Sequence, residues 1–127
     1  MSLPEGLKYT NEHEWVKIEG NDSALIGITE FATDSLGDVV FIELPDIGTK
    51  ITQFEKIGEI ESVKAVSDIF TPISGKIIEQ NNELINNPEL INNSPFEDGW
   101  MFKVENINTD ELDNLMNSDE YDQLIKE

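Results

Sequence analysis

Turn signals recur every few residues from Glu19 to Gly75, and they leave room only for short strands between them. Glu19-Gly20-Asn21-Asp22 closes a first strand over His13–Ile18 and opens a second over Ala24–Ile28. Thr29 has the hydroxyl of an N-cap, and Phe31/Ser35 with Ala32/Leu36 are i,i+4 pairs, which predicts a short helix stopped by Gly37. Val39-Val40-Phe41-Ile42-Glu43-Leu44 is almost continuously apolar and is expected to be a strand buried on both faces. Pro45-Asp46-Ile47-Gly48 ends it. Two further strands flank Lys64, the second reaching Ile69-Phe70, and Pro72-Ile73-Ser74-Gly75 turns the chain into Lys76–Glu79.

Asn81 to Asp98 reads as a polar connection, in which Asn87 can cap a helical turn beginning at Pro88. Trp100–Val104 alternates Trp, Phe and Val on one face of a last strand. Asn108 and Glu111 have capping-box spacing for a helix, and Ser118 can cap a final turn or two carrying Tyr121, Leu124 and Ile125. Trp15 and Trp100 are assigned to core packing. Ile47-Gly48-Thr49-Lys50-Ile51 is echoed by Ile73-Ser74-Gly75-Lys76-Ile77, which suggests a duplicated half-domain. The pattern predicts a mainly β domain, a small sandwich or flattened barrel with short peripheral helices and a C-terminal helix. Residues 1–127 form one domain in this reading, with a core over about 7–105 and a helical segment over 108–127.

Charge and chemistry narrow the function. Eight lysines, no arginine and 27 acidic residues give a net charge of −19, which sets the chain against nucleic acid and anionic membrane surfaces. Such acidity suits a small soluble protein and one steered toward basic protein partners. There is no cysteine, so any sulfur redox chemistry must come from an attached group. Met1–Gly6 has no basic region and no apolar run, so no leader is expected, and a cytoplasmic location follows by default. His13 is the single histidine and reads as structural. No calcium loop, phosphate-binding glycine loop or nucleophile elbow is present. Val63-Lys64 is a poor match to two-residue hairpin chemistry. An exposed lysine at a strand-to-strand tip is a target for acylation, because a modifying enzyme can enclose it without unfolding the domain.

The residues also resemble a known family. Tyr9–Val16, Gly27-Ile28-Thr29 with Ala32, Leu36–Pro45, Glu61–Ala65 with Ser67-Asp68, Pro72–Gly75, Asn81, Leu90-Ile91-Asn92, Ser94-Pro95 and Gly99-Trp100-Met101 are similar to the H proteins of the glycine cleavage system. That family is a lipoyl-carrying branch of the biotinyl/lipoyl-domain group. The resemblance implies that Lys64 is amide-linked to lipoic acid. It implies that Glu61 and Gly75 help the ligase recognise and present that lysine, and that Glu14 and Asp68 contact the arm in a sheltering cleft. Glu12 is assigned no role.

The implied activity is that of a carrier with no turnover of its own. It shuttles the aminomethyl group of glycine between a pyridoxal-phosphate-dependent glycine decarboxylase, a tetrahydrofolate-dependent aminomethyltransferase and an FAD-dependent dihydrolipoyl dehydrogenase. Lipoate ligase or a lipoyl/octanoyl transferase is a further implied partner; no metal is implied, and the carrier is expected to be monomeric. A lipoyl donor for other complexes is the alternative within the family. Biotin domains bracket their lysine with methionines, whereas Val63 and Ala65 stand here. An unmodified acidic interaction protein is the alternative outside it.

Overall fold

The computed structural model describes residues 3–4 and 6–126. The leader reading above rests partly on Met1, Ser2 and Glu5, which lie outside the described residues. Among the described residues nine strands are formed: β1 Lys8–Tyr9, β2 Glu14–Glu19, β3 Ser23–Ile28, β4 Val39–Glu43, β5 Lys50–Ile51, β6 Lys56–Ser62, β7 Val66–Phe70, β8 Gly75–Gln80 and β9 Phe102–Glu105. The helices are α1 Glu30–Leu36, α2 Asn82–Asn86, α3 Leu90–Asn93 and α4 Ser118–Ile125, with a 3-10 helix over Thr109–Asn114. The strands divide into a six-stranded sheet in the order β1-β2-β3-β9-β8-β5 and a three-stranded sheet β4-β6-β7. Every pairing is antiparallel. The expected sandwich of mainly β structure is therefore what the chain forms.

Alternation builds the core. In β6, Gly58, Ile60 and Ser62 are buried while Glu61 is exposed and Glu59 partly so. Ile60 joins Val39, Ile42 and Ile69 of the small sheet and Val16, Ile26, Ile77, Phe102 and Val104 of the large one in one buried cluster. Burial on this scale is the main stabilising term, at roughly 25 cal/mol per Å² of apolar surface. A second cluster lies around Tyr9, Trp15 and Tyr121, with Trp100, Leu124 and Ile125 packed against it. Trp15 thus packs in the interior, Trp100 packs against the same cluster while only partly buried, and α4 is anchored by Tyr121, Leu124 and Ile125.

The run Val39–Leu44 is not buried on both faces. Val40 and Phe41 are exposed, and the register shifts between Val39 and Phe41. Val39 pairs with Ser62 and Phe41 with Glu61, so two steps along β4 match one along β6. This β-bulge sends Phe41 outward where strict alternation would have sent it inward with Val39.

Capping also departs from expectation in three places. Asn117 caps α4 in place of Ser118, forming a full capping box with Glu120. Asn87 ends α2 and does not cap α3 through its side chain. Asn108 does cap its segment, but through Asp110 N, and the segment is 3-10. The Glu111 carboxylate, expected to return to Asn108, accepts hydrogen bonds from the Ser74 amide and hydroxyl, both at 2.7 Å. A charge-assisted pair to a distant turn outcompetes the local box. The strand expected from Trp100 begins at Phe102.

The echoed segments pair with one another. Lys50 lies opposite Lys76 and Ile51 opposite Gly75, while Ile77 N donates to Thr49 O at 2.9 Å. The equivalent lysines face each other, and the position after each lies opposite the position before the other, as a local two-fold relation between two like segments requires.

Candidate functional site

Lys64 stands exposed at the tip joining β6 to β7. The tip is tied down by its own first residue. Ser62 Oγ accepts from Lys64 N at 3.2 Å and Ala65 N at 3.1 Å, and Ser62 N donates to Ala65 O at 2.8 Å. A hydroxyl that substitutes for backbone partners in this way does what an Asn-Gly turn does elsewhere, which is why Val63-Lys64 can occupy the tip. Val63 N donates to Asp38 O at 3.0 Å. The strand start around Asp38 is in turn pinned by Asn92, which accepts from Val39 N at 3.0 Å and donates to Gly37 O at 2.8 Å. The Lys64 backbone is therefore held from both sides while its side chain is exposed.

Gly37 ends α1 with φ 80° and ψ −157°, a region open essentially to glycine alone. The Lys64 stem lies across it: a methyl group at Gly37 would stand 3.0 Å from Lys64 Cε and 3.7 Å from Nζ. The lysine thus lies at the C-terminal end of α1, whose Ala32, Ser35 and Leu36 form one wall of a cleft of about 180 Å³. The opposite wall is Ile60, Ser67, Asp68 and Ile69, and the floor includes Glu12, His13 and Glu14. A larger hollow of about 380 Å³ beside Tyr9, Phe54 and Met116 has no carboxylate, lysine or histidine in its lining. Of these two, the smaller cleft is the one lined by titratable side chains.

Glu14 is buried, and its carboxylate is bound at both oxygens. Oε1 accepts from the Thr10 hydroxyl at 2.6 Å and Oε2 from Phe70 N at 3.3 Å. Burial nevertheless pushes its carboxyl up to about 7, because these two donors only partly replace the lost water. Glu14 therefore exchanges a proton near neutral pH, facing the cleft. Asp68 is different. Its carboxylate is 3.1 Å from Lys56 Nζ and half exposed, and the register sets it opposite Glu59 at the cleft rim.

His13 takes a left-handed backbone conformation, φ 71°, and its ring Nδ1 is 2.8 Å from Tyr121 OH. The same hydroxyl is 2.7 Å from Thr29 Oγ1, the cap of α1. Burial lowers the His13 pKa from its ordinary value. The residue is structural, as expected, and it also forms part of the cleft.

Of the residues singled out in the sequence, Glu14 and Asp68 line one cleft, Lys64 lies across Gly37 next to the Leu36 that also lines it, and Glu61 lies on β6 beside the tip. Gly75 does not gather there: β7 carries the chain about 17 Å from the tip before Gly75 is reached. A Cβ at Gly75 would stand 2.7 Å from Glu105 O and 3.3 Å from Val104 Cβ, so close packing of β8 on β9 requires the glycine. Ser62, Asn92 and Glu12 were missed. Serine at the first position of a turn was the readable signal for Ser62. Nothing local marks Asn92, which acts 53 and 55 residues away.

Ser62→Ala removes the acceptor of two tip amides and is expected to cost about 1–2 kcal/mol. Amide hydrogen exchange at Lys64 and Ala65 should accelerate while exchange in β6 is preserved. Unchanged exchange at those two amides would remove the hydroxyl from the account of the tip.

A model of the glycine cleavage H-protein family matches residues 7–127. The chain belongs to the glycine cleavage H-protein family. It is 50% identical over 127 residues to the glycine cleavage system H protein of Geobacillus sp. (strain WCH70), covering 100% of this chain and 99% of that one. It is 52% identical over 127 residues to the H protein of Brevibacillus brevis, covering 100% of both. Its fold matches the crystal structure of a glycine cleavage system H protein from Mycobacterium marinum with a TM-score of 0.85 and 35% identity, covering 94% of this chain and 95% of that one. The resemblance carried by the Glu61–Ala65 and Gly99–Met101 motifs is thus borne out over nearly the whole length. The chain is a carrier subunit of the glycine cleavage system, and it works with the other components of that system.

Proposed function

We propose that Lys64 carries lipoic acid through an amide bond and that the chain, catalysing nothing itself, presents this arm to its enzymes in turn. The observation that carries the proposal is the exposed lysine on a tied tip, its stem lying across Gly37 at the end of the helix that helps to line a cleft with a protonatable carboxyl. In the modification, the Lys64 amine attacks the activated carboxyl carbon of lipoate. A carbon–nitrogen bond forms, the nitrogen gives up a proton, and the activating group leaves. Bound there, the dithiolane supplies the two sulfurs that this cysteine-free chain lacks.

The chain's own residues then orient and shelter. Glu14, and Asp68 at the rim, receive an amine brought into the cleft. A cation beside Glu14 favours its charged form, so entry of an ammonium group draws the proton off the carboxyl. Tethering keeps the carried unit at high effective concentration as it visits the glycine decarboxylase, the aminomethyltransferase and dihydrolipoyl dehydrogenase. Glu61 is proposed to be read by the lipoate ligase or transferase, and Gly75 to preserve the packing from which the hairpin projects. Residues 1–127 act as one monomeric carrier domain in the cytoplasm.

Intact mass after co-expression with a lipoate ligase and free lipoate, followed by peptide mapping, tests this directly. A lipoyl increment on Lys64 is expected. A biotinyl increment, or Lys64 left free beside an active ligase, would replace the reading by a biotin carrier or an unmodified interaction protein respectively.

A further inference from the structure

The outer face of the small sheet carries an uncovered apolar collar next to Lys64. Val40 is 49% exposed, Phe41 55%, Val66 60% and Val63 68%. The register orders three of the surrounding positions. Phe41 lies opposite Glu61 on β6, and Glu61 lies opposite Val66 on β7, so Phe41, Glu61 and Val66 form one row across all three strands. Directly paired residues project to the same face. The row therefore reads apolar, acidic, apolar, on the face away from Ile42, Ile60 and Ile69. The β4 bulge creates it, since without the extra residue Phe41 would turn inward. Contiguous exposed apolar side chains rimmed by polar residues are the form that contact surfaces for partners take.

The surroundings define what the partner must offer. The next row is Glu43, Glu59 and Asp68, all carboxylates, and the cation bonded to it is Lys56, at 3.6 Å from Glu59 and 3.1 Å from Asp68. With Glu61, four acids face one base. A surface that fits has apolar pockets for Phe41 and Val66, a cation between them for Glu61, and a basic rim. Position singles out which protein this is. Lys64 has to enter the active site of whichever enzyme acylates it, and Val63 enters beside it.

We propose that the row Phe41–Glu61–Val66 is the docking surface for the enzyme that forms the amide on Lys64, and that this enzyme receives it in an apolar site with a basic rim. The proposal rests on Lys64 being the acylated residue. It assigns to Phe41 and Val66 the affinity, and to the carboxylates the encounter rate.

Steady-state acylation with a lipoate ligase, ATP and free lipoate tests it, with the whole chain as varied substrate. Phe41→Ala and Val66→Ala are each expected to raise KM for the chain about tenfold, the loss typical of a truncated interface anchor, with kcat little changed. Val66→Thr, which keeps the shape and β propensity, should show the same direction with unaltered far-UV circular dichroism. Ile47→Ala, exposed beyond the other end of β4, should match wild type. Raising the salt concentration should lower kcat/KM for wild type and variants alike. An unchanged KM in Phe41→Ala and Val66→Ala, with wild type fully acylated, overturns the docking surface and leaves the carrier site standing. Unchanged acylation with impaired glycine-dependent CO2 exchange also overturns it, because the collar then serves the decarboxylase. A wild-type chain that stays unmodified is a separate result, and it removes the Lys64 reading itself.

Discussion

Lys64→Arg is expected to leave the fold intact and abolish every carrier activity. The tip is built from the Ser62 hydroxyl, the Ala65 and Asp38 carbonyls and the backbone of residue 64, none of which uses the lysine side chain. Arginine keeps the charge and length, so melting temperature and circular dichroism should be unchanged. A guanidinium stays protonated at any working pH and offers no amine nucleophile, so no amide can form. Reconstituted glycine cleavage should fall to the level measured without carrier, a loss of several orders of magnitude and the largest effect expected of any single exposed residue here. Activity above that level in Lys64→Arg would place the attachment elsewhere, and the remaining seven lysines would become the candidates.

The legible part of this protein was what local chemistry fixes. Thr29 caps α1 because a threonine hydroxyl reaches the amide of residue 32 in any sequence context, and Gly37 stops it because few other residues take its backbone angles. Alternation placed Phe102 and Val104 inward, whereas the echo of Ile47–Ile51 in Ile73–Ile77 suggested a duplication without showing that the two segments pair with one another. The illegible part depended on partners far along the chain. Phe41 is as apolar as its neighbours, and only pairing with β6 reveals the bulge that turns it out. Asn108 and Glu111 have capping-box spacing, yet Ser74, 37 residues away, captures the carboxylate. The place of Lys64 at an exposed tip between two strands was legible from the segments that flank it. The state of Glu14 was not, because its second donor, Phe70 N, is 56 residues away.

Several such distant contacts converge on the cleft. Tyr121 on α4 stacks on Tyr9 with ring centroids 4.7 Å apart, and its hydroxyl bonds both His13 and Thr29. The C-terminal helix thereby holds one cleft residue and the cap of the helix that forms one wall. The segment whose sequence pointed to no function contributes to the site through packing.

Glu14 gives the second large effect, a pH dependence of stability. Its carboxyl titrates at about 7 in the fold, against an ordinary value of 4.5. Between those values the folded chain holds a proton that the unfolded chain has released. Stability contributed by this group is therefore complete below about pH 4.5, declines as pH rises to about 7, and is flat above. At about 1.4 kcal/mol per unit, the loss across the window is on the order of 3 kcal/mol. His13 works in the opposite sense, since burial lowers its pKa and costs stability as pH falls below its ordinary 6.5. The two partly cancel in wild type. Glu14→Gln separates them: the amide still accepts one hydrogen bond, its packing cost does not vary with pH, and only the His13 slope remains. Urea unfolding from pH 4.5 to 8.5 should show Glu14→Gln gaining on wild type by roughly 3 kcal/mol between pH 4.5 and 7 and running parallel above it. Parallel profiles throughout would mean that Glu14 is ionised in the folded cleft at neutral pH, and an incoming amine would then meet a fixed charge instead of a carboxyl that titrates at about 7.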